Sequence, residues 1–141
     1  MDVQKAKGHL LSGNYTCVLC RGDVLIASNH RGIKPLLDFL DSGEDFSSFS
    51  AADKVVGKAT AFLYCLLGIK ALYAHVLSIP AQQVLREYDI PVSYDVLAPG
   101  IRNRENTGPC PMEAATQNIH APEAALPVLR QTLENLQKKD N

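Results

Sequence analysis

The stretch FSAADKVVGKATAFLYCLLG (Phe49–Gly68) sets the frame for the whole chain. Its pattern predicts one long helix opening at Phe49-Ser50, running to about Leu67 and stopped by Gly68. The second half, Ala61 to Leu67, is apolar nearly all round and so must be buried. The first half carries Asp53, Lys54 and Lys58. On a helix, Lys54 and Lys58 are four residues apart and share a face near the positive end of the dipole. That is a poor place for two lysines on structural grounds and a good one for holding an anion with free backbone N–H groups. Ser50-x-x-Asp53 fits a capping-box-like start, and Asp53 partly offsets the lysines. Gly57 in mid-helix would cost about 1 kcal/mol against Ala, which points to close packing on a sheet.

Working outward, Ile33–Gly43 (IKPLLDFLDSG) reads as a short helix ended by Gly43. Tyr15–Asn29 (YTCVLCRGDVLIASN) reads as a β-hairpin around Arg21-Gly22-Asp23, with both faces expected to be covered. Asp2 to Leu11 forms a short N-terminal helix, ended by Ser12-Gly13-Asn14. Downstream, Ala71–Ser78 is a buried strand, Pro80 to Tyr88 a helix with proline in its first turn, and Pro91–Ala98 another strand. The loop PGIRNRENTG leads to GPCPMEAA and a short helix. Pro122 to about Lys138 closes the chain, with Leu126, Leu129, Leu133 and Leu136 on one stripe. Pro127 there predicts a kink or a later start. This order implies a single α/β domain over residues 1–141, a three-layer α/β/α sandwich whose mixed sheet is opened by the hairpin. The final QKKDN is expected to fray.

Composition narrows the function classes. The 141 residues are 46% hydrophobic with a net charge of -1, which gives no basic footprint for nucleic acid or anionic membrane. No apolar run is long enough to span a bilayer, and the polar N-terminus has no signal-peptide core. The four cysteines are expected to be reduced thiols in a cytoplasmic protein.

Cys17-x-x-Cys20 has the spacing of a zinc knuckle, but on a strand an i, i+3 pair points to opposite faces, so the pair reads as core thiols. The four histidines are scattered, with no HExxH or HxE, and no Walker-type loop or serine elbow appears, so no metal or cofactor is called for. His75 falls beside Tyr73 by strand alternation and reads as a hydrogen-bonded core or edge imidazole. In GPCPMEAA (Gly108–Ala115), Pro111 at the first helical position puts Cys110 at the N-cap and Glu113 at the third helical position. An N-cap thiol sees orphan N–H groups that favour thiolate, whereas Glu113 opposes it. Glu113 can serve instead as a capping carboxylate or a general base. Arg102 and Arg104 precede the motif on a loop long enough to fold back over it.

Taken together, Phe49–Ala61, Ile90–Arg104, GPCPMEAA and Arg31-Gly32-Ile33-Lys34-Pro35-Leu36 resemble an uncharacterised prokaryotic domain family of unknown function with a cytidine-deaminase-like fold. The resemblance runs from about Tyr15 to about Leu136 and implies a mixed sheet with helices on both faces. Zinc deaminases carry His or Cys followed by x-Glu on the helix after the hairpin, then Pro-Cys-x-x-Cys on the next helix. Aligned by that order, the first position falls at Ala52-Asp53-Lys54 and the second at Pro80-Ala81-Gln82-Gln83-Val84, with no ligand at either. Without thiolate or imidazole there is no activated zinc water, so the chemistry argues against zinc-dependent deamination.

Three roles stay open. One is a binding module for a small anionic or nucleotide-like ligand, held by Lys54, Lys58, Arg102 and Arg104 with Asp53 beside them. Another is a zinc-independent enzyme using Cys110 as nucleophile or sulfur carrier, with Glu113 at its side. The third is an interaction module, such as a homodimer through a sheet edge or helix face.

Overall fold

The computed structural model describes residues 1–103, 106 and 108–139. Its elements run α1 (Asp2–Ser12), β1 (Cys17–Arg21), β2 (Val24–Ser28), α2 (Lys34–Asp41), β3 (Ser50–Val56), α3 (Lys58–Leu67), β4 (Leu72–Ser78), α4 (Ile79–Glu87), β5 (Val92–Ala98), α5 (Pro111–Thr116) and α6 (Pro122–Lys139). The five strands form one sheet in the order β2-β1-β3-β4-β5. β1 pairs antiparallel with both β2 and β3, while β3, β4 and β5 run parallel. The chain is therefore an α/β protein with a mixed sheet.

Phe49–Gly68 corrects the sequence reading. Its first half is not helix but the central strand β3, and the helix begins only at Lys58. A central strand covered on both faces loses the alternation that marks a half-buried one. Ala51 and Ala52 are both fully buried, on opposite sides of the sheet. Their small side chains, good helix formers in isolation, are what let helices pack closely above and below. Three readings fall with the helix. Lys54 and Lys58 share no helix face, Ser50 and Asp53 form no capping box, and Gly57 is the N-cap of α3 rather than a mid-helix residue. The helix that follows the hairpin is α2, and the next is α3. The stop was legible: Gly68 sits at φ 69°, and its N–H donates to the carbonyls of Tyr64 and Cys65.

Strand alternation sorts the core into two parts. Val18, Cys20, Ala52 and Tyr73 meet Ala6 and Leu10 of α1 on one face. Leu19, Ala51, Leu72 and Ala74 point the other way, against Phe62, Leu63 and Tyr64 of α3, in a larger core that also takes residues from α2, α4, α5 and α6. β1 is buried, but β2 is an edge strand, and Val24 and Leu25 stay 43% and 41% exposed. The hairpin is thus fully covered on β1 only, while on β2 Ile26 packs partly against the core. At the other edge, β5 leaves Tyr94, Val96 and Leu97 exposed.

α6 starts at Pro122 and continues across Pro127. Proline there removes only the bond to the Glu123 carbonyl, near the helix start. Leu129 is fully buried, and Leu126, Leu133 and Leu136 pack beside it, which anchors the stripe. Among the described residues no helix is long and apolar enough to cross a membrane.

Candidate functional site

Where β3 ends and α3 begins, the chain turns at Gly57 beside a cavity of about 380 Å³. Its wall brings together Thr16 and Cys17 at the start of β1, Arg31 before α2, Asp53 and Lys54 of β3, Thr60 of α3, and Cys110 and Glu113 around α5. Thr16 and Glu113, at the extremes of this wall, are 97 positions apart in the chain and meet only through the fold, which is why spacing alone did not reveal them.

Asp53 stands opposite Cys17 in the β1–β3 ladder. Its Oδ2 accepts the Tyr64 hydroxyl at 2.7 Å, and its Oδ1 accepts the Val55 N–H at 3.3 Å. Burial pushes its carboxyl up to about 7, although the Tyr64, Val55 and Lys54 donors hold it down. Tyr64 is fully buried, and burial together with the Asp53 charge raises its phenol well above the usual value. Cys17 is likewise raised, first by burial and then by Asp53, so it is an inert thiol at ordinary pH.

Glu113 reaches from α5 to the first turn of α3, where its carboxylate lies against Gly57 and feels the backbone N–H groups of Lys58 and Ala59. It therefore caps a helix other than its own. Gly57 makes room for it: a Cβ there would collide with Glu113 Oε1 and stand 3.0 Å from Ile101 Cγ1. Burial raises the Glu113 carboxyl, while the two N–H donors and the Lys58 charge act the other way. The positive end of α3 is thus already neutralised by a carboxylate from the chain itself.

Cys110 is the N-cap of α5 by backbone alone. Its N–H donates to the Ile101 carbonyl and its own carbonyl accepts the Ala114 N–H, both at 2.9 Å, but the thiol caps nothing. The side chain lines the cavity instead.

The candidate residues separate clearly. Asp53, Lys54, Cys110 and Glu113 share one cavity. Lys58 does not: its Nζ donates to the Gln117 carbonyl at 3.2 Å and it faces two smaller neighbouring cavities. Arg102 turns back on its own loop, bonding Asn106 Oδ1 at 2.9 Å and the Asn106 carbonyl at 3.1 Å. Arg104 lies outside the described residues. Arg31 and Tyr64 join the site unforeseen. Arg31 sits in a motif that stood out only by resemblance, and Tyr64 looked like one more apolar core residue.

Away from the cavity, Cys20 points to the α1 face, opposite to Cys17, as strand alternation requires. His75 is an exposed imidazole whose Nδ1 lies 3.2 Å from Asp95 Oδ2, the oxygen that also accepts the Tyr73 hydroxyl at 2.6 Å. Among the described residues no three His, Cys, Asp or Glu side chains gather where they could hold a metal ion.

Residues 5–133 match a family model described as a domain of unknown function, DUF1893. Among solved structures, the chain is similar to the crystal structure of a DUF1893 family protein from Thermotoga maritima. The two are 22% identical with a TM-score of 0.86, over 92% of this chain and 88% of that one. At that identity the likeness is one of fold. None of the curated proteins compared matches the chain.

Proposed function

The chain belongs to the DUF1893 family, and from that premise we propose that it binds a small nucleotide-like or phosphorylated molecule in the cavity at the β3–α3 turn. The observation that carries this reading is the convergence of Arg31, Asp53, Lys54, Cys110 and Glu113 on one space of about 380 Å³. That volume suits a single small metabolite. Arg31 and Lys54 are both exposed at the rim, and neither forms an ion pair with a described residue. They are the groups available to a phosphate. Lys58, committed to Gln117, is not among them.

The sheet order, with its antiparallel first pair and parallel remainder, supports a cytidine-deaminase-like reading of the fold. Zinc does not fit it. With β3 assigned, the helix after the hairpin is approached by Arg31-Gly32-Ile33 and opens at Lys34, and the next opens at Gly57-Lys58-Ala59-Thr60. Neither offers His, Cys or a glutamate two residues on. Pro80 opens α4, one helix too late for the position assigned to it from the sequence.

Isothermal titration with nucleoside monophosphates, sugar phosphates and inorganic phosphate tests the reading. Saturable binding that weakens roughly tenfold in Arg31→Ala or Lys54→Ala supports it, because a charge-assisted hydrogen bond is worth about 1.5–3 kcal/mol. Absence of binding across the panel would sink it.

A second reading has one observation in its favour: the Cys110 thiol caps nothing and shares its cavity with Glu113. It makes Cys110 a nucleophile or sulfur carrier with Glu113 as proton acceptor. Brief iodoacetamide treatment of the folded protein decides it. Alkylation at Cys110 faster than at a free model thiol favours catalysis, and slower alkylation removes it.

A further inference from the structure

The cavity's polar side chains are sorted by depth. Arg31 and Lys54 are exposed, whereas Asp53, Glu113, Thr60 and Cys110 are half-buried and Cys17 is buried. The outer wall is cationic. Among the described residues, the less exposed part of the wall carries two carboxyls and no cationic side chain. Thr16 adds no donor there, since its hydroxyl is spent on the Ser28 and His30 carbonyls. A carboxylate oxygen accepts two hydrogen bonds. Asp53 Oδ2 takes one side-chain donor, from Tyr64, and Glu113 lies by the backbone N–H groups of Lys58 and Ala59, so each has acceptor capacity left over.

Resting on the reading above, we infer that the inner end of the ligand is an amino group, or the amino edge of a heterocycle, received by Asp53 and Glu113, while its anionic end is left to Arg31 and Lys54. A carbonyl oxygen in place of the nitrogen would face acceptors with another acceptor, and a hydroxyl would bring one donor where an ammonium brings three. A site built to hydrogen-bond one group rejects the analogue that leaves its polar atoms unpaired. The ligand class is therefore an aminated phosphate, either an amino sugar phosphate or a nucleotide with an exocyclic amine.

Selectivity should vary with pH. Asp53 is paired with Cys17 of β1 and hydrogen-bonded to Tyr64 of α3, and it shares the cavity wall with Lys54, Arg31, Cys110 and Glu113. Cys17 and Tyr64 are held neutral by burial. Asp53 and Glu113 both have raised carboxyls and gain protons together as pH falls. A protonated carboxyl offers an O–H to an oxygen, so the preference for nitrogen is largest above about pH 7 and shrinks in acid.

The experiment is calorimetric titration of matched pairs: cytidine against uridine monophosphate, and glucosamine against glucose 6-phosphate. Near pH 8 the amino member of at least one pair should bind roughly tenfold more tightly, and the gap should narrow near pH 5.5. Asp53→Asn and Glu113→Gln should each shrink it. Equal binding within both pairs, tighter binding of the oxygen member, or a preference that survives both substitutions overturns the inference while leaving the binding site standing. No binding by any of the four compounds removes the site for this class of ligand, and the inference with it. Should Asp53→Asn fail to fold, Glu113→Gln and the wild-type pH series still decide.

Discussion

At Asp53 the fold stores an unfavourable proton balance, and that has a measurable consequence. Its carboxyl titrates near 7 in the folded state, against about 3.9 in an unfolded chain. A raised folded-state value means the native protein holds the proton more tightly than the unfolded one. The associated stability is fully present below about pH 4, and it is lost as pH rises through about 7. Replacing the carboxyl by an amide removes this titration. The stability of wild type relative to Asp53→Asn should therefore fall between about pH 4 and 7 and level off above, as read by urea denaturation across that range. A difference that stays flat with pH would show that Asp53 is not desolvated in the native protein. The sequence singled out Asp53 as a candidate, but on a mistaken ground. It was placed on a helix face beside Lys54 and Lys58, whereas it faces Tyr64 from a strand.

At the level of elements, the turn from β3 into α3 depends on the fit between Gly57 and Glu113. Gly57→Ala would drive a Cβ into the Glu113 carboxylate, and overpacking of that kind costs about 1–3 kcal/mol. Glu113→Ala loses the cap on α3, worth about 1 kcal/mol. The same carboxylate is at stake in both changes, so the double variant should be clearly less destabilised than the sum of the singles, by 0.5 kcal/mol or more in a double-mutant cycle. Strict additivity would mean that Glu113 does not occupy that position. This pairing joins residues 56 apart and no local pattern announces it. The elements whose signals are local were readable: the hairpin turn at Gly22, the Gly68 stop, the proline that opens α4 and the leucine stripe of α6. β3 was not, because two buried faces erase its alternation and its alanines favour helix when read alone.

In the whole molecule, the candidate site lies at one end of the sheet. Three segments distant in sequence, Arg31–Ile33, Asp53–Thr60 and Cys110–Glu113, converge on one cavity. On the α1 face of β4 and β5, buried Tyr73 and exposed His75 both meet Asp95. The sequence singled out several of these residues as candidates but could not show that they converge, because convergence depends on which strand neighbours which. The most direct measurement is a two-dimensional amide NMR titration of the full chain with a mononucleotide or amino sugar phosphate. Saturable shifts are expected to concentrate in those three segments, with little change along β5. Shifts centred on β5 or on α6, or no saturable shift with either ligand class, would contradict binding at this site.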